Sequence, residues 1–313
     1  MKKAFVFPGQ GAQRVGMIKD LYDGYASVRR LFEEADDALG FSLTRLCFEG
    51  PDEELMMTYN TQPAILTAST ACSLVLQEEG LRPDIVAGHS LGEYSALVAA
   101  EAVSFADAVR TVRQRGRFMQ EAVPLGEGAM AAILGLDEDR IKAVCAEVGS
   151  RDGTVEAVNF NCPGQIVIAG AAKAVEAAVD ALKAAGAKRA VILNVSAPFH
   201  STLMKPAAER LAEVLDTIVI KDAKVPVAAN VDGQLETAAA VIKASLVRQA
   251  ASPVLWIACV RQIQAFGAEN IVEVGPGKTL TGFNRKIDKD IHCENVEDIP
   301  SLKKTLEFFQ GGN

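Results

Sequence analysis

Gly88-His89-Ser90-Leu91-Gly92 constrains this chain more than any other stretch. The short apolar run "PDIVAG" leads into it, and "LGEYSALVAA", helical in character, follows. G-x-S-x-G at a sharp turn between strand and helix is the pattern of a nucleophile elbow. The two glycines let strand and helix pack closely around a strained serine. That serine then sits at a helix N-terminus, where the dipole and free N–H groups favour a developing anion. Ser90 is either a nucleophile or a small residue in a tight turn, and the strand–turn–helix context favours the nucleophile.

A serine hydroxyl needs a base. The chain has three histidines. His89 is fixed beside Ser90, and at an elbow its side chain points away from the serine's. His292 lies in a charged C-terminal stretch. His200, in "APFHS", ends a strand-to-loop passage and is the candidate base by elimination, with a structural histidine as the bland alternative. A triad adds an acid to orient the histidine. The aspartates between Ser90 and His200 lie mostly in helices and turns of another segment, and none sits at an obvious strand end. A neutral orienter, a backbone carbonyl or Gln249, suits better.

The elbow belongs to a large α/β-hydrolase-like domain. Lys3–Phe7 reads as its first buried strand, and "PGQGAQ" as a glycine loop. Residues 26–39 have helical periodicity. Residues 63–80 start with proline and end with glycine, which suits a buried helix. Residues 104–122 form another, with Ser104 as N-cap and Asp107 three residues on. Near Gly126 the pattern changes. "GAMAAILGL", "DEDRIKAVCAEVG", "VEAVNFN", "GQIVIAG", "AAKAVEAAVDALKAAG" and "AKRAVILNV" read as βαββαβ, the ferredoxin-like order. The expected fold is α/β: a large domain from 1–125 and 197–313, with a ferredoxin-like subdomain at 126–196 inserted. Strand-like stretches recur at 225–231 and 269–274.

Length and composition fit that division. The chain has 313 residues, 49% of them hydrophobic and 23% charged, enough for a sizeable core and against disorder. A net charge of −8 makes nucleic acid an unsuitable partner. Pro8 and Gly9 end the N-terminal apolar run too early for a signal peptide, and no stretch reaches the length of a membrane helix. Six scattered cysteines form no C-x-x-C pair, so neither metal nor a disulfide framework is expected. A cytoplasmic setting follows. "GPGKT" at 275–279 fails as a phosphate loop, because position 272 is valine where the first glycine is needed. It reads as a helix-start loop near the active site.

Seven ordered stretches, "FVFPGQGAQ", "GHSLGEYSALVAA", "RGRFMQ", "VNFNCPGQIVIAG", "APFHS", "QAASPVLW" and "EVGPGKTL", carry a wider signal. Together they resemble the bacterial malonyl-CoA:acyl-carrier-protein transacylases and the acyltransferase domains of fatty-acid and polyketide synthases, over nearly the whole chain. The resemblance implies a ping-pong transfer. Ser90 would take malonyl from coenzyme A with His200 as base, then pass it to the phosphopantetheine thiol of acyl carrier protein, a transient partner. The N–H groups of Gln10 and Leu91 would form the oxyanion hole. Arg115 would hold the free malonyl carboxylate, for which a planar guanidinium is the matching partner. Arg110, Arg113 and Arg117 then read as a solvated basic face. Gln249 matches a glutamine near the active site, Asn159 falls in the matching "VNFN" loop, and Phe199 before His200 resembles the malonyl-type pattern. The resemblance implies no cofactor, no metal, no membrane partner and action as a monomer. Arg285 and Lys286, then Lys188 and Arg189, are candidates for carrier docking.

A serine esterase or thioesterase is the alternative. The elbow fits it, but no HGGG-type stretch and no well-placed acid support it. A non-catalytic carrier-binding subunit is a third reading, against which the joint presence of Ser90, His200, Arg115 and Gln10 argues.

Overall fold

Period-two alternation in the first strand divides the core. In β1 (Lys2–Phe7), Phe5 and Phe7 pack on one side, while Ala4 and Val6 pack on the other. A strand apolar on both faces must lie between two layers, as strands of parallel sheets do. The computed structural model, which describes residues 2–195 and 197–311, places β1 inside a six-stranded sheet. Its neighbours are β2 (Ile85–Gly88) and β9 (Ala268–Val274), with β10 (His292–Val296) beyond β9. On the far side, β7 (Val227–Ala228) and β8 (Leu235–Glu236) complete the order β10-β9-β1-β2-β7-β8. All neighbours are parallel except β7 and β8. One face carries the helices Thr58–Glu78 and Phe105–Glu121, and the other carries Trp256–Ala265.

The second sheet comprises β3 (Gly128–Leu134), β4 (Val155–Cys162), β5 (Gln165–Ala171) and β6 (Arg189–Ile192), in the order β4-β5-β3-β6, all antiparallel. Helices Glu138–Asp152 and Ala172–Ala184 share one core with it. This is the ferredoxin-like arrangement on a large α/β domain. The subdomain's expected last residue, Ser196, lies outside the described residues. Backbone bonds from Phe160 N to Val254 O at 2.9 Å and from Val254 N to Val158 O at 2.8 Å stitch β4 to the large domain. They fix the cleft between the two sheets.

Several local expectations meet the structure directly. Residues 26–39 form one helix, and the Ser104 hydroxyl accepts from Asp107 N as a cap. Others need correction. The helix expected from Pro63 begins at Thr58 and carries Pro63 inside it. Proline leaves the carbonyl four residues back without its helical donor. Arg113 Nη1 supplies one, donating to Tyr59 O at 3.0 Å. Arg113 is therefore no member of a solvated face: it is half-buried over the rings of Phe41 and Tyr59. Arg110 does keep to the surface, paired with Asp107. The strand expected over 225–231 shrinks to Val227–Ala228. The charged stretch around His292 is an edge strand, β10, whose Glu294 is buried between His292 and Lys304.

The elbow glycines are where backbone approach is closest. A Cβ on Gly88 would stand 1.9 Å from the carbonyl carbon of Gly92, and one on Gly92 would stand 2.1 Å from Phe7 O. Those contacts are backbone to backbone and cannot be relieved by a rotamer change. Gly92→Ala is expected to cost about 3 kcal/mol or more, as severe overpacking does. Urea titration checks this; a loss under about 1 kcal/mol would show that the elbow has slack.

Candidate active site

Ser90 has φ 54° and His200 has φ 65°, both left-handed, at residues that pay for such backbone with strain. The elbow is held open by Asn230. Ser90 N donates to Asn230 Oδ1 at 2.7 Å, and Asn230 Nδ2 donates to Gly88 O at 2.7 Å. The strained turn is thus clamped from both sides by one buried amide. Ser90 points its Oγ at His200 Nε2, 2.6 Å away.

His200 Nδ1 faces the carbonyl oxygens of Gln249 at 3.0 Å and Ser252 at 3.2 Å. Carbonyls only accept, so Nδ1 carries the proton and Nε2 is left to accept from Ser90. The orienter is neutral backbone, as the scarcity of acids suggested. Burial, and then the positive Arg115, push His200 down to about 3, so it is an unprotonated base at neutral pH.

Arg115 is buried, at 2% exposure. Nη1 donates to Gln62 Oε1 at 2.8 Å, and Nη2 donates to Gln249 Oε1 at 3.0 Å and Ser90 Oγ at 3.3 Å. Nε has no partner, and among the described residues no carboxylate lies within ion-pair distance of the guanidinium. A buried cation held by neutral acceptors is costly, and an anionic ligand would offset that cost. The arrangement can accept an anionic group beside Ser90 Oγ.

Gln10, Gln62, Ser90, Leu91, Arg115, Asn159, Phe199 and His200 all line this cleft. Gln249 lies behind it, fully buried, and reaches the site through the bonds above. Among the described residues the backbone N–H groups of Gln10 and Leu91 have no acceptor. Asn159 lies in β4 beside a bulge, not in a loop, and its buried Oδ1 is unpartnered. His89 turns away from Ser90 and donates to Asn161 Oδ1 at 2.8 Å. The "GPGKT" loop starts the helix Thr279–Ile287, and the Glu273 carboxylate accepts from Leu280 N and Thr281 N. Thr279 and Leu280 border an adjoining cleft shared with Gln10, His89 and Asn159.

Sequence reading missed Gln62, Asn230 and Glu93. The signal was present for Glu93, the one charged residue of a short, mostly apolar helix, and not for Gln62, whose helix buries several other polar residues. Asn230 fell inside the strand expected over 225–231, and only the structure, which ends that strand at Ala228, sets it apart.

The geometry agrees with what the chain resembles. The model of the acyl transferase domain family matches residues 4–310. A malonyl CoA-acyl carrier protein transacylase of Bacillus subtilis is 51% identical over 312 residues, covering 100% of this chain and 98% of that protein. The crystal structure of an acyl-carrier-protein S-malonyltransferase from Burkholderia pseudomallei superposes with a TM-score of 0.95 at 50% identity, covering 98% of this chain and 100% of that one. A malonyl-transacylase solved in complex with a type II polyketide-synthase acyl-carrier protein does so at 0.96 and 49% identity, covering 98% and 100%. With its elbow, its neutral base and its cationic socket on the same fold, the chain belongs to the acyl transferase domain family.

Proposed function

We propose that this chain transfers a malonyl group from coenzyme A to the phosphopantetheine thiol of an acyl carrier protein, in fatty-acid or polyketide synthesis. The observation that carries the reading is Arg115: a buried guanidinium 3.3 Å from Ser90 Oγ, with no carboxylate within ion-pair distance among the described residues. In this reading 1–125 and 197–313 are the catalytic domain, and the 126–196 subdomain walls one side of the cleft.

Ser90 Oγ attacks the thioester carbonyl carbon while His200 Nε2 takes its proton. The oxyanion rests on the N–H groups of Gln10 and Leu91, which the fold leaves unpaired. The tetrahedral species collapses, the C–S bond breaks, and His200 returns the proton to the departing thiolate. The malonyl ester on Ser90 then reacts in the reverse sense: the carrier's thiol gives its proton to His200, attacks the ester carbon, and Ser90 Oγ leaves with that proton. Arg115 binds the distal carboxylate throughout. That contact also offsets the second of the influences that lower His200, the largest being burial. Phe199 and Asn159 shape the acyl end of the cleft.

A hydrolase would place an acid on the histidine. Here the carbonyls of Gln249 and Ser252 occupy that position, which supports transfer over hydrolysis. The reading takes the chain to act as a monomer. The six cysteines are free and buried, in keeping with a reducing, cytoplasmic setting, and no helix among the described residues is long and apolar enough to cross a membrane. Coenzyme A and the carrier enter as substrates, and the steps above use side chains and backbone alone. Arg285 and Lys286 are exposed beyond the adjoining cleft and remain our first choice for carrier docking, with Lys188 and Arg189 second.

Intact mass after incubation with malonyl-CoA, then with phosphopantetheinylated carrier, tests the class. An adduct on Ser90 that moves to the carrier is expected; an adduct that is lost to water at the same rate without carrier would favour the esterase.

Arg115→Ala tests the substrate. Removing one partner of a buried ion pair costs about 3–5 kcal/mol. At about 1.36 kcal/mol per decade, malonyl kcat/KM should fall roughly 10²–10⁴-fold. Acetyl transfer never uses the guanidinium and should be spared, so the preference collapses or inverts. Lysine at 115 should rescue in part, as a point charge without the fork. Proportional loss of both acyl groups would remove Arg115 as the carboxylate ligand.

A further inference from the structure

Glu93, the last residue of "GHSLGE", is buried beneath the elbow at 2% exposure. Its Oε2 accepts from Asn230 N at 2.9 Å and from Gln249 Nε2 at 3.2 Å. The oxygen of that same Gln249 amide accepts from Arg115 Nη2 at 3.0 Å. One side-chain amide therefore separates a buried carboxylate from a buried guanidinium, with its dipole aligned to both. Gln249 Nε2 also donates to Ser90 O at 2.8 Å, and the Gln249 carbonyl accepts from His200. Glu93 thus anchors, through Asn230 and Gln249, one of the polar groups at each of the nucleophile, the base and the arginine. No step of the transfer uses it.

We propose that Glu93 is a positioning residue acting through Gln249: its carboxylate balances Arg115 while the site holds no substrate carboxylate, and it takes up a proton when the malonyl carboxylate arrives. The inference rests on the malonyl-transfer reading. Two carboxylates sharing one guanidinium in a water-poor cavity cannot both stay ionised cheaply. The malonyl carboxylate meets the guanidinium directly and is intrinsically the stronger acid. Glu93 is one amide away and already disfavoured by burial, so it is the one that protonates, with the proton drawn from solvent. Acetyl brings no second charge and leaves Glu93 ionised.

Burial pushes Glu93 up to about 7; the Asn230 and Gln249 donors and Arg115 oppose this, and Glu236 adds to it. Below that value Glu93 is neutral and malonyl meets no competitor. Above it the ionised carboxylate opposes the incoming one. The preference for malonyl over acetyl must fall as pH rises through about 7. The other groups facing Glu93 do not titrate there. Tyr94 is pushed up to about 12 and Cys259 is pushed up by burial, while His200 is held near 3 and His89 is lowered by burial. Arg115 stays a cation. Glu236, raised by burial and bonded to Ser245, is the one competing carboxyl.

The test is the ratio of initial rates of Ser90 acylation by malonyl-CoA and acetyl-CoA, read by intact mass from about pH 6 to about pH 8.5. The wild-type ratio should fall about ten-fold, the effect of one unit of coupling. Glu93→Gln keeps an oxygen to accept from Asn230 and Gln249 but has no charge. Its ratio should be flat and no lower than the wild type's acidic value. Glu93→Ala should slow both acyl groups, because Gln249 loses its anchor, and glutamine should rescue both. Glu236→Gln should keep the wild-type slope. A flat wild-type ratio, a Glu93→Gln protein with the wild-type slope, or a slope abolished by Glu236→Gln would each overturn the proposal. The wild-type slope requires no variant to fold. Absence of any malonyl adduct on wild-type Ser90 would overturn the transfer reading itself, and is distinct from a flat ratio between two measurable rates.

Discussion

Ser90→Ala is expected to fold normally and to acquire no malonyl group. The elbow does not depend on the hydroxyl. Its clamp is made by the Ser90 backbone N–H to Asn230 and by Gln249 to the Ser90 carbonyl, and alanine keeps both. The loss to stability should be about 2 kcal/mol, at the usual net worth of about 1 kcal/mol for each of the two hydrogen bonds lost, to His200 and from Arg115. The loss to transfer should be on the scale of removing the nucleophile from a serine triad, about 10⁶-fold. Mass spectrometry and a thermal melt read the two effects separately. An adduct of undiminished stoichiometry on a well-folded variant would take Ser90 out of the mechanism.

His200→Ala should slow acylation and carrier transfer alike, by roughly 10²–10⁴-fold, because both half-reactions move a proton at the same Nε2. Rapid-quench measurement of each half-reaction distinguishes this from a structural role, in which one step would be spared or both would fall only with stability. The variant has a second expected signature. The folded-state value of about 3 lies below the ordinary 6.5 of an unfolded histidine, so the unfolded chain binds the proton first. Stability must therefore decline as pH falls below 6.5, with a limiting slope of about 1.4 kcal/mol per unit from this group. His200→Ala removes that contribution, and its melting temperature should depend less steeply on pH in the acid range. An unchanged acid slope would show that His200 is not held neutral by burial.

The local chemistry was legible because it is written in short-range pattern. An elbow needs glycines on either side of the serine, and the 1.9 Å and 2.1 Å approaches at Gly88 and Gly92 show why no larger residue serves. Ser104 caps its helix through a bond three residues long, and the βαββαβ order of the small sheet follows from alternation and helical period alone. What escaped was set by partners distant in sequence. β10 carries a carboxylate, Glu294, that becomes buried once Lys304 pairs with it and His292 hydrogen-bonds to it. Pro63 can sit inside a helix only because Arg113 satisfies the carbonyl it strands.

The site divides the same way. The sequence by itself singled out the candidate nucleophile, the candidate base and the strand–turn–helix around the serine, since these depend on residue type and neighbouring glycines. Only the tertiary structure decided how the parts are wired. His200 is oriented by two backbone carbonyls, which have no signature in any side chain. Gln62, Gln249, Asn230 and Glu93 come from four separate segments, and each is an ordinary polar residue until folding removes water around it. Burial is what turns them into a circuit: in low dielectric an unpaired amide or charge is expensive, so every donor must find the one acceptor the fold brings within reach.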